Sequence, residues 1–299
     1  MKNNQTPLGE RVITRSIQVS GYSSILFVAL ILYFLVSEGV PGLFEAPLTS
    51  LGGLRWYPIE DYFGLLPLLL GSLIVTGGAA MVAIPFGIGT AVYISEIAPQ
   101  WLKEILKPLV ELLAGMPSVM LGFLGILVVS PFLRQFLNLP TGLTAFTGSL
   151  LLGGIAIPTI VSVAEDALNT VPRSYREAAL AMGATRWQTI WGITLPAAKS
   201  GVLTAVILGL GRSIGETMTV MMVTGNAPVM PIHLNSLFAP VRTMTATVAS
   251  EMGEVATGST HYHVLFLVGI ILFLISLAVN ITASAIIFRQ TKRSERILS

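Results

Sequence analysis

The chain has 299 residues, 53% of them hydrophobic and 11% charged, with a formal net charge of +2. Soluble domains carry about 25% charged residues, and a mean hydropathy of +0.79 points the same way, so the composition excludes a soluble enzyme and indicates a multi-span membrane protein. The absence of cysteine excludes disulfides, thiol catalysis and zinc–thiolate sites, and leaves the redox compartment open.

About 20 apolar residues cross a bilayer as a helix, and the sequence predicts six such spans. A first unit, residues 1–64, holds an N-terminal segment, the first span at Val19–Val40 and an outer loop. That span is too long for a cleavable signal peptide, and no small-residue cleavage site follows it. The main transmembrane unit, 65–290, opens with the second span, Leu66–Ile97, read as broken by Gly77-Gly78 and Pro85. The stretch "WLKEILKPLVELL" then places Lys103, Glu104, Lys107 and Glu111 on one charged face, as in a surface helix at the headgroups. The third and fourth spans are read at Pro117–Phe136 and Leu143–Val163. Pro85, Pro117 and Pro158 are expected to bend the second, third and fourth helices.

Residues 164–200 interrupt the apolar pattern with a polar insert. Ser174 stands three residues before Glu177, a capping-box spacing, and Thr185 stands three before Gln188. Gly183 between them suits the left-handed stop of the first helix. The spacing predicts helix, glycine turn, helix, with Pro196 breaking the second helix as the fifth span begins. Helices of about eight residues are marginal alone, so this pair needs a surface to pack on. One reading lays it on the headgroups, with Trp187 and Trp191 as anchors. The other makes Ala178, Ala179, Met182 and Trp187 an exposed groove that docks a cytoplasmic partner.

The fifth span is read at Gly201–Thr224 and contains Arg212 and Glu216, four residues apart and hence expected on one helical face. Charges at membrane depth are costly and usually face a cavity or each other. The planar arginine fork suits a tetrahedral oxyanion, so an anion path lined also by Ser213 and Thr217 is one reading, and a structural ion pair is the other. Gly211 and Gly215 form a small-residue motif that would let another helix approach. An outer loop, 225–261, leads to His261 and His263, read as interfacial with no carboxylate cluster nearby. The sixth span follows at Val264–Phe288, with a tail at 291–299. Apart from Arg55, Arg134 and Arg242 outside and Arg212 within a span, every Lys and Arg falls on the segments that are inside when both termini are cytoplasmic.

The polar insert resembles a known element. Glu177-Ala178-Ala179, three residues, Gly183, nine residues, Ile193, one residue and Leu195-Pro196 match the EAA loop of ABC importer permeases. Three further stretches, Trp56–Thr76, Leu113–Gly125 and Gly211–Pro228, are similar to the PstC family of phosphate permease subunits. With the loop, the likeness spans nearly everything from Trp56 to Pro228. It implies an all-α, type I (MetI-like) permease fold with six transmembrane helices in a bacterial or archaeal cytoplasmic membrane. It assigns ATPase coupling to Glu177, Ala178, Ala179, Gly183, Trp187, Ile193, Leu195 and Pro196. The implied partners are a PstA-like second permease, a dimer of PstB-like ATPase subunits that bind ATP and Mg, and a PstS-like external phosphate-binding protein. Membrane lipid surrounds them, and no nucleic acid is expected. No lysine follows a glycine, so this chain has no Walker A loop, is not itself the ATPase, and needs no cofactor of its own. Molybdate, tungstate and sulfate permeases share the EAA loop and remain alternatives for the substrate. A gradient-driven anion carrier would explain Arg212 and Glu216 but not the loop.

Overall fold

The computed structural model describes residues 8–232 and 234–298. The ends of the N-terminal segment (1–7) and of the tail (Ser299), together with His233, lie outside the described residues. Among these residues the fold is helical apart from one two-stranded hairpin. In chain order the main elements are α1 (Leu8–Glu45), the hairpin strands β1 (Trp56–Tyr57) and β2 (Tyr62–Phe63), and α2 (Leu66–Val92) with a π-turn, Tyr93–Ile97, at its end. Then come α3 (Gln100–Ala114), α4 (Ser118–Phe136, with an internal π-turn) and α5 (Ala145–Asn169). The insert forms α6 (Arg173–Ala181) and α7 (Arg186–Ala197), and α8 (Lys199–Ile214) and α9 (Met218–Val223) follow. The last two are α10 (Met244–Glu251) and α11 (Thr260–Leu298).

Five helices are long and apolar enough to cross a bilayer, and α7 with α8, bent by 73°, makes a sixth candidate. The predicted fifth span is therefore corrected. Gly201–Thr224 is two helices, because α8 stops at Ile214 and α9 restarts at Met218. The second span is corrected as well, since α2 runs unbroken through Gly77, Gly78 and Pro85. Pro158 likewise sits inside a continuous α5, while Pro117 precedes α4 as its N-cap. The fourth span, α5, extends to Asn169, more than one and a half turns past the expected end at Val163.

At the centre α2 lies against α5. Gly71, Val75, Ala79, Ala83, Gly87 and Ala91 recur every four residues on α2 and are all buried. From Val75 onward this stripe packs with Leu152, Ala156, Ile160 and Ala164 of α5, while Gly71 lies against the backbone of Arg242. A Cβ on Gly78 would strike the side chain of Ser149, and one on Gly87 would strike Ile160. Lipid tails are as apolar as leucine, so close backbone approach through small residues supplies the packing between such helices.

At the end where α2 and α5 begin, a polar hub joins distant elements. The buried Trp56 on β1 donates its indole N–H to both oxygens of Glu251 at 3.1 Å. Arg242 reaches the same carboxylate at 2.7 Å and His261 Nε2 reaches it at 2.8 Å. His263 meets Glu45 of α1 at 2.9 Å. The fold brings a carboxylate from another helix to each histidine, Glu251 to His261 and Glu45 to His263, and no group of three or more potential metal ligands forms among the described residues. Burial opposes ionisation of Glu251, but the His261 hydrogen bond, the Arg242 charge and the Trp56 N–H outweigh it and hold its carboxyl below the ordinary glutamate value.

Glu251→Ala leaves Arg242 without its counter-charge and should destabilise this end by about 3 kcal/mol, read as a lower unfolding temperature in detergent. Because the folded carboxyl is the stronger acid, the contribution of wild-type Glu251 is complete above the ordinary glutamate range and fades as pH falls through the depressed value. The gap between wild type and variant should therefore close on acidification.

Candidate coupling loop and intramembrane charges

The insert leaves α5 at Asn169 and turns at Pro172, whose fixed ring starts α6 one residue later. The capping box expected at Ser174–Glu177 does not form. Pro172 moves the helix start upstream, and Ser174 lies inside the first turn with no capping bond. The second box is present: Gln188 N–H donates to Thr185 Oγ1 at 3.3 Å, and Thr185 N–H donates to Gln188 Oε1 at 2.8 Å. Gly183 has φ +85°, with Gly183 N–H bonded to the Leu180 carbonyl and Ala184 N–H to that of Ala179. That paired ending is the left-handed glycine stop expected from sequence.

The α7 helix does not end at Pro196. A π-turn at Ile190–Thr194 makes room for the proline, and the bend comes at Ala198.

Met182, 89% exposed, stands out at the turn, with Trp187 and Trp191 exposed beside it and their rings 5.7 Å apart. Glu177 and Ala178 are exposed on α6. Ala179, expected in the same groove, is only 6% exposed, because the next residue along a helix points about 100° away. Ile193 and Leu195 are half-buried and Pro196 is exposed. The structure therefore divides the eight coupling positions between an outward face and an inward one.

Sequence reasoning missed the charges beneath this loop. Arg176 of α6 binds Glu96 at the end of α2, with Nη2–Oε1 at 2.7 Å. Lys107 of α3 binds Glu165 at 2.9 Å and Asp166 at 3.3 Å near the end of α5. The hydrogen bond to Glu165 raises the Lys107 pKa despite an opposing effect of burial, and Asp166 adds to the rise. Asn169 donates to Glu165 at 2.6 Å and accepts from Ser95 at 2.9 Å. These groups border an open cleft of about 870 Å³ between α3 and α6. The available signal was a charge placed at the end of each long apolar run; the pairing itself, across 80 residues for Arg176 and Glu96, has no local signature.

Arg212 and Glu216 do not form the expected pair. The helix breaks between them at Gly215, and no ion pair joins them among the described residues. Arg212 lies exposed on the last turn of α8 and donates to the Ala114 carbonyl at 3.2 Å, with Thr159 Oγ1 at 3.4 Å. Glu216 Oε1 accepts from the backbone N–H groups of Thr217 and Thr219 at 3.1 and 3.2 Å, so it caps the start of α9. Ser213 is buried and bonds back to Gly209, while Thr217 Oγ1 bonds the Gly215 carbonyl at 3.2 Å. Of the four pathway candidates, Arg212 is the one whose charge looks outward. Gly211 and Gly215 beside it have open space where a Cβ would stand.

Residues 83–293 match the family described as binding-protein-dependent transport system inner membrane component. The chain belongs to this family. This permease is 40% identical over 233 residues to a probable ABC transporter permease, YqgH, of Bacillus subtilis, covering 77% of this chain and 74% of that one. It is 33% identical over 259 residues to the phosphate transport system permease PstC of Xylella fastidiosa, covering 80% and 78%. Two solved structures share its fold. One is the inward-facing MetNI methionine ABC transporter, with TM-score 0.60, 18% identity and coverage of 78% of this chain and 99% of that chain. The other is a bacterial alginate ABC transporter, with TM-score 0.58, 16% identity and coverage of 93% and 98%. At such identities they show the fold alone, that of type I importer permeases.

Gly183→Val forces a branched residue into left-handed backbone, a strain of about 1–2 kcal/mol, and should loosen the turn without lowering membrane abundance. Limited trypsin digestion should then cut faster after the neighbouring Arg186. Gly192→Ala, in open space at an ordinary φ, should leave the rate unchanged.

Proposed function

We propose that this chain is one half of the transmembrane pathway of an ATP-driven importer of inorganic phosphate, and that residues 170–198 face the cytoplasm and dock an ATPase subunit. The observation that carries this reading is the loop itself. An EAA-type helix–turn–helix with an 89%-exposed methionine at its turn sits in a chain 33% identical to PstC over 80% of its length. An apolar knob held on a capped turn suits a groove on a water-soluble partner. The open space at Gly211 and Gly215 suits a second permease laid against α8. An external binding protein delivers the substrate to the end that carries Trp56 and Glu251.

Arg212 is the residue assigned to the anion. Its guanidinium ends α8 and touches the carboxyl end of α3 at Ala114, where helix dipoles favour a cation. Because the Arg212 charge is not neutralised by Glu216, an oxyanion in the pathway meets a fork with donors to spare. Glu216 holds the break open by capping α9, and Thr219 anchors α9 to α4 through the Ser118 carbonyl at 2.9 Å.

The test is phosphate uptake in cells lacking other phosphate importers, with membrane abundance of the complex followed alongside. Arg212→Gln should cut uptake about a hundredfold, the scale of a lost charge-assisted contact. Arg212→Lys, which keeps the charge and loses the fork, should lower uptake less and leave assembly intact. Near-normal uptake by Arg212→Gln would overturn the pathway assignment.

A further inference from the structure

We propose that Arg176, acting through Glu96, is the positioning residue that makes the coupling helix and the inner ends of α2 and α5 one mechanical body. This inference rests on the import reading above and extends it to how force leaves the loop.

All three guanidinium nitrogens donate, to the end of α2, to the end of α5 and to the turn that follows α5. From α6, Nε donates to Glu96 Oε1 and Oε2 at 3.1 and 3.2 Å, and Nη2 donates to Oε1 at 2.7 Å. Nη1 donates to the Val171 carbonyl at 2.7 Å and Nη2 to the Leu168 carbonyl at 2.8 Å. Glu96 belongs to the π-turn that ends α2, Leu168 lies in the last turn of α5, and Val171 is on the turn that joins α5 to α6. A single planar side chain thus caps one helix, pairs with the end of another and is rooted in the third. Its side chain is 20% exposed and that of Glu96 10%, so water competes little for these bonds.

Two neighbouring lysines are committed elsewhere. Lys103 donates to the Ser95 carbonyl at 2.6 Å, and Lys107 holds Glu165 and Asp166. Among the described residues Arg176 is the cation that pairs with Glu96. The adjacent Glu177 is exposed, with no side-chain partner among the described residues. One helical step separates a residue that faces the partner from one that grips the membrane helices. Lysine offers a point charge with three rotatable donors and no planar fork, so it lacks the fixed geometry that holds the carboxylate and the two carbonyls together. A push on α6 that would otherwise tilt α6 alone is delivered instead to α2 and α5, which are already fused along their small-residue stripe.

The experiment uses the whole complex in liposomes with its binding protein, ATP and inorganic phosphate. The cysteine-free chain accepts spin labels at Met81→Cys on α2 and Ser174→Cys on α6. The wild-type complex should show the same label-to-label distance with and without ATP. Arg176→Lys should broaden that distance and lower the phosphate imported per ATP hydrolysed about fivefold or more, while complex abundance and basal hydrolysis hold. Glu96→Gln should give the same signature from the other side of the contact, and serves if Arg176→Lys fails to assemble. A wild-type distance that changes with nucleotide, or an Arg176→Lys complex with wild-type distance and stoichiometry, would overturn the proposal. A wild-type complex that hydrolyses ATP without importing phosphate would instead count against the import reading, and the distances would still report whether Arg176 positions α6.

Discussion

Close contact between two helix backbones is the constraint on which this molecule depends. Within a bilayer no hydrophobic force drives one apolar helix onto another, so α2 and α5 associate because glycine and alanine every fourth residue let their backbones meet. The resulting pillar runs from one end of the fold to the other. At one end it receives the hairpin, α10 and α11, and at the other it receives α3, α6 and α7. The α8 helix uses the same device, for a Cβ on Gly209 would strike Ile160 and one on Gly201 would strike Ala167.

Polar chemistry is confined to the two ends and to the single break between α8 and α9. Each buried charge has a partner: Glu251 with Arg242, Glu96 with Arg176, Glu165 with Lys107. An unpaired charge at such depth would cost several kcal/mol, and pairing also fixes which helices are joined. The break follows the same rule. Helix termini expose backbone N–H groups that a bilayer cannot solvate, and the Glu216 carboxylate satisfies two of them. A discontinuous helix is thereby tolerated, with an outward-facing arginine just before it.

Local features were readable from sequence where one chemical signal decided them. The apolar runs gave five of the helices, Gly183 gave the left-handed turn, and the Thr185–Gln188 spacing gave its box. Signals failed where a distant or adjacent residue overrode them. Hydropathy carried the fifth span straight through Gly215, since three residues barely lower an average, and so made Arg212 and Glu216 seem one face. Pro172 moved the start of α6 and cancelled the box at Ser174. Ala179 looked like its neighbour Ala178, and only the packed helix shows that it points inward. The partners of His261 and His263 were not legible because Glu251 and Glu45 lie on other helices. Contacts such as Trp56 with Glu251, 195 residues apart, leave no trace in local pattern.

The central claim is that the turn at residues 182–187 enters an ATPase subunit. A photo-activated cross-linking residue placed at Met182, in cells expressing the assembled transporter, tests it directly. The account predicts a cross-linked product containing the ATPase subunit, identified by mass spectrometry, and none from the same residue at Ile59, which is as exposed but lies at the far end. Cross-linking of position 182 to lipid alone, with the ATPase captured from Ile59 instead, would contradict it.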